Sequence, residues 1–428
     1  MKLYFMELKK ILRPIPLLVL LLFIGVFVFS LIVNQFDYMT SVHETCDDFA
    51  VAADLTEVAG NSPTKAELDA AIDELTIKYK AELADAIQNS PVLQVAGITD
   101  YDSYLEIASK IQYSYVVKEE NFNPEEWQAI PGGPAYDADK DYSLTPAEKE
   151  LSESGILSSL VPAIKIRFLT RNYPDEYSRI DIMHDYTVNV WDYNTPNSKE
   201  LIDKIYTSGA INNILPGFAM ENLNLIYPLT AILLIISLCI LLAPVITKDN
   251  MARMDSLQYS SKAGRKILKI QLAAMLTVGA LLSIFIGGGA LLIFVAKGFH
   301  SFLNSGLNSF MTTFDYSLFT GNYMQYFFSV FGMLFTVSIA ATFIIFSLSK
   351  LSRQYISLLL GVVPLTAILT FLMIQLFKSP FSIIDADSEA LYQIIPIPFI
   401  EAYICGLLLV IGFITAMIVI RRQQRAEI

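Results

Sequence analysis

The residues best suited to direct chemistry are acidic and hydroxyl side chains at alternate positions in the first half of the chain. Calcium in proteins takes about six to eight oxygen ligands, most of them from carboxylates and carbonyls. Alternate spacing brings such oxygens around one ion, and an acid shortly after them supplies a two-oxygen ligand. The sequence therefore contains a candidate calcium site made of Asp137, Asp139, Asp141, Ser143, Thr145 and Glu148.

This stretch resembles the calcium loop of EF-hand proteins, with Leu144 at its apolar eighth place. Two features depart from that pattern. Tyr142 stands where the loop has a glycine, and the sequence PGGP at 131–134 excludes a regular helix just before it. The alternative is a solvated acidic turn in which Thr145 and Glu148 form the capping box of a helix. That turn explains both residues without a metal, so the two interpretations stay open.

One carboxylate lies well inside an apolar run, Glu401 in the sequence IPFIEAYICG. A charge within a membrane is costly and often marks a substrate or ion path, so Glu401 is a candidate for contacting a cationic substrate or sealing a gate. The alternative is that Glu401 reaches headgroups or water, because it lies about one turn from the end of its run. No nucleophile and base stand paired in the sequence, so we expect no enzyme activity.

The elements that must position these residues are membrane helices. Hydrophobic residues make up 54% of the chain and charged residues 17%, and the mean hydropathy is +0.48, which is typical of a membrane protein. At about 1.5 Å per residue, roughly 20 apolar residues span a hydrocarbon core of about 30 Å. Six runs reach that length: 14–33, 225–246, 270–296, 324–348, 355–377 and 399–420.

The distribution of charge orients these helices. Residues 34–222, here called the middle region, hold 33 acidic and 13 basic side chains, and the rest of the chain holds 9 acidic and 17 basic. Of those 17 basic residues, 15 fall at the amino end, in 248–269, in 350–353 or in 421–425. Basic residues beside membrane helices favour the cytoplasmic side. We expect a multi-pass protein of the plasma membrane with both termini cytoplasmic, a cytoplasmic tail at 421–428 and an extracellular middle region.

Local signals within the middle region are mostly helical. Thr64 and Glu67 form a capping box before about six turns of helical spacing. Caps and spacing predict four helices, which begin at Thr64, Tyr101, Thr145 and Ser198. Alternation over 186–190 predicts one short strand. The expected fold is therefore a polytopic α-helical membrane protein with six transmembrane helices and a mainly helical (α+β) extracellular domain.

The amino end is amphipathic. Residues 1–13 carry Leu3, Met6 and Ile11 or Leu12 on one side and Lys2, Lys9, Lys10 and Arg13 elsewhere. The spacing of Glu7 and Lys10 predicts an ion pair across one helical turn. This pattern predicts a helix that lies in the membrane interface, with membrane lipid as its partner. The basic residues lie beside the membrane and not in a separate domain, so nucleic acid is not an expected partner.

The loop 247–269, between the second and third apolar runs, is a second amphipathic segment. Six of its residues are basic. Met251, Met254 and Leu257 recur at three-residue spacing, which predicts a short helix outside the bilayer. Such a helix can press on a partner protein.

The layout of an interfacial helix, a first span, a large outer domain and five more spans resembles the permease subunit of a type-two ATP-binding cassette (ABC) exporter. It is most similar to the branch with a large extracellular domain between spans one and two. In that family the loop between spans two and three carries an acid or amide, a short helix, a small turn, a basic residue and a lysine that opens span three. The matching residues here are Asp249, Asn250, Leu257, Gln258, Tyr259, Ser260, Ser261, Arg265 and Lys269. The usual glutamate, the glycine-threonine pair and the turn proline of that loop are missing.

The resemblance implies a bacterial half-transporter driven by a separate ATPase that binds ATP and magnesium. The chain itself has no G-x-x-x-x-G-K-[ST] phosphate loop, which agrees with ATP hydrolysis by a partner chain. Two permeases, identical or related, would work with two ATPases. The residues expected to dock on the ATPase are Glu7, Met254, Asp255, Leu257, Gln258, Tyr259, Ser260 and Lys262.

The substrate expected from the nearly uncharged spans is amphiphilic or lipophilic, namely a peptide, a drug or a lipid. Glu401 is the candidate residue on its path. The alternative function is a membrane-anchored receptor or scaffold whose extracellular domain, rich in tyrosine, binds a ligand. The two functions differ in that a transporter needs an ATPase and a receptor does not.

Overall fold

The computed structural model describes residues 2–34, 47–117, 133–172, 198–252, 266–309, 316–384 and 391–425. Two short strands, β1 (Tyr316–Ser317) and β2 (Ser382–Ile384), pair antiparallel, and a π-helical turn, Val28–Val33, continues the second helix. Within these ranges the chain forms fifteen α-helices: α1 (Lys2–Ile11), α2 (Pro14–Phe27), α3 (Asp47–Ala59), α4 (Lys65–Gln88), α5 (Pro91–Val95), α6 (Tyr101–Val116), α7 (Pro146–Ser154), α8 (Val161–Asn172), α9 (Ser198–Thr207), α10 (Gly217–Met251), α11 (Ile267–Ala296), α12 (Tyr323–Leu351), α13 (Tyr355–Phe377), α14 (Leu391–Ile394) and α15 (Ile400–Arg425).

Within the described ranges, six helical segments are long and apolar enough to cross a membrane, as predicted. They are Pro14–Val33, Leu225–Met251, Ile267–Ala296, Tyr323–Leu351, Tyr355–Phe377 and Ile400–Gln423. The second, fourth and sixth extend a few residues beyond their predicted ends, because polar residues can continue a helix past the hydrocarbon core. The chain is an α-helical polytopic membrane protein.

α10 and α12 form the centre of the helix bundle. α12 packs along α15, α10 and α11, and α10 packs along α13. In the most apolar part of α10, 72% of the residues are buried, against 17% in α2 with its π-helical turn and 17% in α13. α2 and α13 therefore leave most of their apolar surface for the surrounding membrane.

The bundle has two ends, which we name the α1 side and the opposite side. On the α1 side, α1 packs against α11 and the end of α10. On the opposite side, the segment after α11 contacts the middle region. The ring of Phe49 lies 4.8 Å from that of Phe299, and the side-chain amide of Asn61 donates to the carbonyl of Ser301 at 2.8 Å. The middle region is thus joined to the end of the bundle away from α1.

The described part of the middle region is helical. Thr64 caps α4 in a capping box with Glu67, and α4 packs against α3 and α8 through a buried face that runs from Leu68 to Ile87. The helices predicted to begin at Tyr101, Thr145 and Ser198 are also present. The strand predicted at 186–190 lies outside the described residues.

A polar triad links the three packed helices α3, α4 and α8. The carboxylate of Asp54 on α3 accepts a hydrogen bond from the Tyr79 hydroxyl at 2.6 Å and from Lys165 Nζ at 2.8 Å. Burial raises the pKa of Asp54, but the bonds from Lys165 and Tyr79 outweigh burial and leave that pKa below its ordinary value. The triad therefore keeps a carboxylate charged inside the packed unit.

Candidate functional site

The helix α1 packs against the bundle through a face that carries a charged residue. It buries Glu7 and Ile11, which lie one turn apart, while the apolar Met6 stays 60% exposed. The Tyr4 hydroxyl is hydrogen-bonded to Thr277 Oγ1 of α11 at 2.8 Å. The amphipathic α1 expected from the sequence is present, and its inner face is polar as well as apolar.

Four side chains from α1, α10 and α11 form a buried polar cluster, here named the α1 clamp: Glu7, Lys10, Asp249 and Gln271. Lys10 Nζ donates to Asp249 Oδ2 and lies 3.5 Å from Glu7 Oε2, which confirms the Glu7–Lys10 pair predicted from their spacing. Gln271 Nε2 donates to Asp249 Oδ2 at 3.2 Å and to Glu7 Oε2 at 3.4 Å. Each buried carboxylate thus has both a cation and an amide donor, which offsets the cost of its burial.

A second set of hydrogen bonds joins the same end of α10 to the end of α12. The side-chain amide of Asn250 donates to the carbonyl of Ser352 at 3.0 Å, and Lys350 Nζ donates to Asn250 Oδ1 at 3.2 Å. One turn earlier, the Thr247 hydroxyl donates to the carbonyl of Ser349 at 3.1 Å. Consecutive residues of α10, Asp249 and Asn250, therefore connect it to α1 and α11 on one side and to α12 on the other.

These two networks lie at the base of the loop expected to contact an ATPase. Asp249 and Asn250 come just before residues 253–265, and Gln271 comes shortly after them. Of the residues expected to dock on the ATPase, Glu7 lies in the α1 clamp. The others lie outside the described residues: Met254, Asp255, Leu257, Gln258, Tyr259, Ser260 and Lys262. Their docking role stays a prediction.

Asp249 and Asn250 belong to the family pattern of the loop, whereas Gln271 was not predicted as a site residue. The available signal was a polar residue near the start of an otherwise apolar run. A glutamine there is 4% exposed, so it needs hydrogen-bond partners within the protein.

Glu401 lies on the opposite side, in the first turn of α15. The residue is 1% exposed, which disagrees with the alternative that it reaches headgroups or water. Oε1 of its carboxylate has no hydrogen-bond partner among the described residues. The side chain is thus enclosed by protein, and its place on a substrate path stays a prediction.

The backbone around Glu401 is strained. Phe381 and Phe399 have φ values of 66° and 59°, in a region that bulky residues rarely occupy. Their rings meet edge to face at 5.4 Å. Such strain costs about 1–3 kcal/mol per residue and persists where surrounding packing holds it. The buried carboxylate of Glu401 therefore lies where tertiary packing holds the backbone in a strained conformation.

The acidic loop of the middle region takes the form of the capped turn. Thr145 and Glu148 make the capping box of α7, and both oxygens of Glu148 accept hydrogen bonds from Lys110 Nζ at 2.8 Å. Asp141 instead accepts from the amide and hydroxyl of Ser143. No group of three or more histidine, cysteine or acidic side chains in the described ranges is placed to hold a metal. Calcium at Asp137, Asp139, Asp141 and Glu148 stays a prediction that requires Lys110 to release Glu148.

The class that the fold defines is the α-helical polytopic membrane protein, with a polar cluster that ties an amino-terminal helix to two membrane helices. No protein-family model, curated protein or solved structure matches the chain. The arrangement of the chain's own residues is therefore the basis for its proposed function.

Proposed function

We propose that this chain is the permease subunit of an ABC exporter and that a separate ATPase drives it. The ATPase would bind on the cytoplasmic face, at α1 and at the loop 247–269. ATP and magnesium would be bound by that partner. A second permease, identical or related, would complete the membrane part.

The observation that carries this proposal is the α1 clamp. A permease that is driven by a separate ATPase must transmit the displacement of its docking helices to its membrane helices. On α1, Lys10 binds Asp249, near the start of the loop, and Glu7 accepts from Gln271, just after the loop. A partner that moves α1 or the loop would therefore move the ends of α10 and α11 with it.

The connection continues into the centre of the bundle. Asn250 binds the last carbonyl groups of α12, and α12 packs along α15. α10 and α12 are the two most buried membrane helices. A displacement of α1 or the loop would therefore move α10 and α12, because hydrogen bonds and close packing connect these helices.

An apolar cavity supports a lipophilic or amphiphilic substrate. It has a volume of about 330 Å³, and hydrophobic residues and glycines line it between α2, its π-helical turn, α10 and α11. Its lining residues are Ile24, Gly25, Val28, Phe29, Ile32, Val33, Leu233, Phe285, Ile286, Gly289, Ala290 and Ile293. A cavity of this kind accepts a hydrocarbon group and offers nothing to a hydrophilic solute.

The test is purification of the full chain from its own cells in mild detergent, with mass spectrometry of the proteins that copurify. We expect an ATPase at about one copy per permease. The double variant L257D/Y259D places two charges in the predicted docking helix and should abolish that copurification.

A matched control changes an equally apolar, exposed residue on the opposite side. Val95 is 74% exposed, and V95D should leave the ATPase bound. Loss of the ATPase from both variants would indicate general damage to the fold. Absence of any ATPase from the wild-type preparation, even after chemical crosslinking in the cells, would overturn the proposal.

One observation favours the alternative of a receptor or scaffold. A groove of about 560 Å³ in the middle region is lined by Tyr113, Tyr136 and Tyr142, and the last two rings stack at 5.3 Å. Tyr113 is buried, and the half-buried rings of Tyr136 and Tyr142 suit contact with a peptide or glycan. Copurification of a soluble ligand, in place of an ATPase, would make this function the better one.

A further inference from the structure

A second cavity lies on the α1 side, at the level where the membrane helices end. Its volume is about 210 Å³, several times the roughly 30 Å³ that one water molecule occupies. The turn between α1 and α2, the last turns of α10 and the first residue of α13 surround it. Its lining residues are Lys10, Ile11, Arg13, Pro16, Leu241, Pro244, Val245, Lys248 and Tyr355.

The charge of this cavity is entirely positive. Three of its lining residues are basic and none is acidic. Lys10 is paired within the α1 clamp. Arg13 and Lys248 are exposed, and neither has an ion pair with a described residue. Two cations without a partner, placed at one cavity, attract an anion.

The rest of the lining is apolar and follows α10 and α2 into the membrane. Leu241, Pro244 and Val245 belong to α10, and Pro16 belongs to α2. Leu241 lies ten residues before Met251, the end of α10, which is about 15 Å of helix. A hydrocarbon chain within the bilayer reaches this wall, whereas a protein docked outside the membrane reaches only the rim.

Tyr355 stands at the same level. It is the first residue of α13, and its side chain is 40% exposed. Tyrosine is enriched where a membrane meets water, because its ring is apolar and its hydroxyl is polar. Its presence places the mouth of the cavity at the depth of lipid headgroups.

We propose that this cavity binds the phosphate of an anionic phospholipid from the leaflet on the α1 side. Arg13 and Lys248 would hold the phosphate, and one acyl chain would lie along the apolar wall of α10 and α2. A guanidinium and an ammonium together provide charge-assisted hydrogen bonds to phosphate oxygens. The inference does not depend on the proposed transport function.

The site shares one residue with the α1 clamp. Lys10 lines the cavity and also pairs with Glu7 and Asp249. A phosphate beside Lys10, Arg13 and Lys248 would hold the α1–α2 turn against the end of α10. Bound lipid would therefore stabilise the docking of α1 as well as occupy the cavity.

The test uses the full chain in mild detergent and counts bound lipids by native mass spectrometry during titration with phosphatidylglycerol or phosphatidylcholine. We expect the wild-type chain to bind phosphatidylglycerol with clear preference. Because each cation near an anionic lipid strengthens binding about fivefold, R13Q/K248Q should weaken it about 25-fold. R13K/K248R, which keeps both charges, should retain most of the binding.

The matched control removes two charges from the same side at a different helix. Arg421 and Arg422 lie near the end of α15, which packs mainly against α12. R421Q/R422Q should retain the preference for phosphatidylglycerol. An equal loss in this control would show general surface attraction and overturn the site.

Two further outcomes are decisive. If the wild-type chain shows no preference for phosphatidylglycerol over phosphatidylcholine, the proposal is wrong, whether or not the variants fold. Displacement of the lipid by millimolar inorganic phosphate would assign the cavity to a soluble phosphate compound and also overturn it. Continued binding in the presence of inorganic phosphate is the result expected for a lipid, because the apolar wall contributes.

Discussion

The α1 clamp places one lysine between two buried carboxylates, and this ratio predicts unequal effects of substitution. K10M leaves Glu7 and Asp249 buried without a cation, so we expect it to lower the free energy of unfolding by about 3 kcal/mol. D249N leaves the Glu7–Lys10 pair intact and should cost about 1 kcal/mol. Thermal unfolding of the purified chain in detergent measures both changes.

Lys9 provides the control for the loss of positive charge in α1. It is exposed and neighbours Lys10 in sequence. K9M should leave the unfolding temperature nearly unchanged, since exposed charges contribute little. Equal destabilisation by K9M and K10M would contradict the role of the buried cluster.

Glu148 gives a prediction for the dependence of stability on pH. Burial raises the pKa of this carboxyl, but the bonds from Lys110 and from the Thr145 main chain outweigh burial and hold the pKa below its ordinary value of 4.5. A lowered pKa adds stability above pH 4.5, and that stability is lost as the pH falls through the folded-state pKa. E148Q keeps a capping side chain but loses the charge, so it should cost about 1 kcal/mol at pH 7.

The difference between wild type and E148Q should disappear under acid conditions. Comparing the two proteins at each pH removes the contribution of other titrating groups. Glu150 is exposed on the same helix, so E150Q should match wild type throughout. A difference between wild type and E148Q that stays constant down to pH 3 would contradict the Lys110–Glu148 ion pair.

Local spacing predicted some of these residues and not others. The Thr145 and Glu148 cap and the Glu7 and Lys10 pair lie within one helical turn, so their partners are readable from the sequence. Lys110 lies 38 residues from Glu148, and Gln271 lies 264 residues from Glu7. Such partners depend on which helices meet, and a single sequence carries no local signal for that.

At the scale of the elements, α12 and α15 approach closely at Gly412 of α15. A Cβ atom on Gly412 would lie 2.8 Å from the main-chain oxygen of Ala340, which cannot move without shifting α12. We expect G412A to destabilise the bundle by about 1–3 kcal/mol. Gly406, in the same helix, has no atom within 4 Å of that position, so G406A is the matched control.

Unfolding temperatures in detergent separate the two variants. G406A should be neutral or slightly stabilising, because alanine favours a helix by up to about 1 kcal/mol over glycine. If G412A and G406A changed the unfolding temperature equally, that result would contradict the close approach of α12 and α15 at Gly412.

The elements differ in how far the sequence predicted them. The six membrane helices and the helix beginning at Thr64 have long, regular patterns, and the structure contains all of them. The pairing of β1 with β2 was not predicted, since the strands are two and three residues long and stand more than sixty residues apart. Short, distant strands form through tertiary packing, and their sequences show no clear alternation.

At the scale of the whole molecule, the arrangement predicts on which side each part of the chain lies. Six membrane helices return the chain to the side from which it started, and basic residues outside the middle region are concentrated beside α1 and the ends that share its side. Because basic residues favour the cytoplasmic side, α1 and the end of α15 should be cytoplasmic and α5 extracellular. In a background without native cysteines, V95C should react with a membrane-impermeant maleimide in intact cells.

K9C and R421C should react only after the cells are permeabilised. Val95, Lys9 and Arg421 are all exposed, so a difference in labelling reports the side of the membrane and not burial. Labelling of K9C in intact cells would reverse the orientation and remove the cytoplasmic docking surface on which the exporter proposal depends. If only V95C is labelled in intact cells, the α1 clamp and the loop 247–269 lie on the cytoplasmic side. A soluble ATPase could then reach the proposed docking surface.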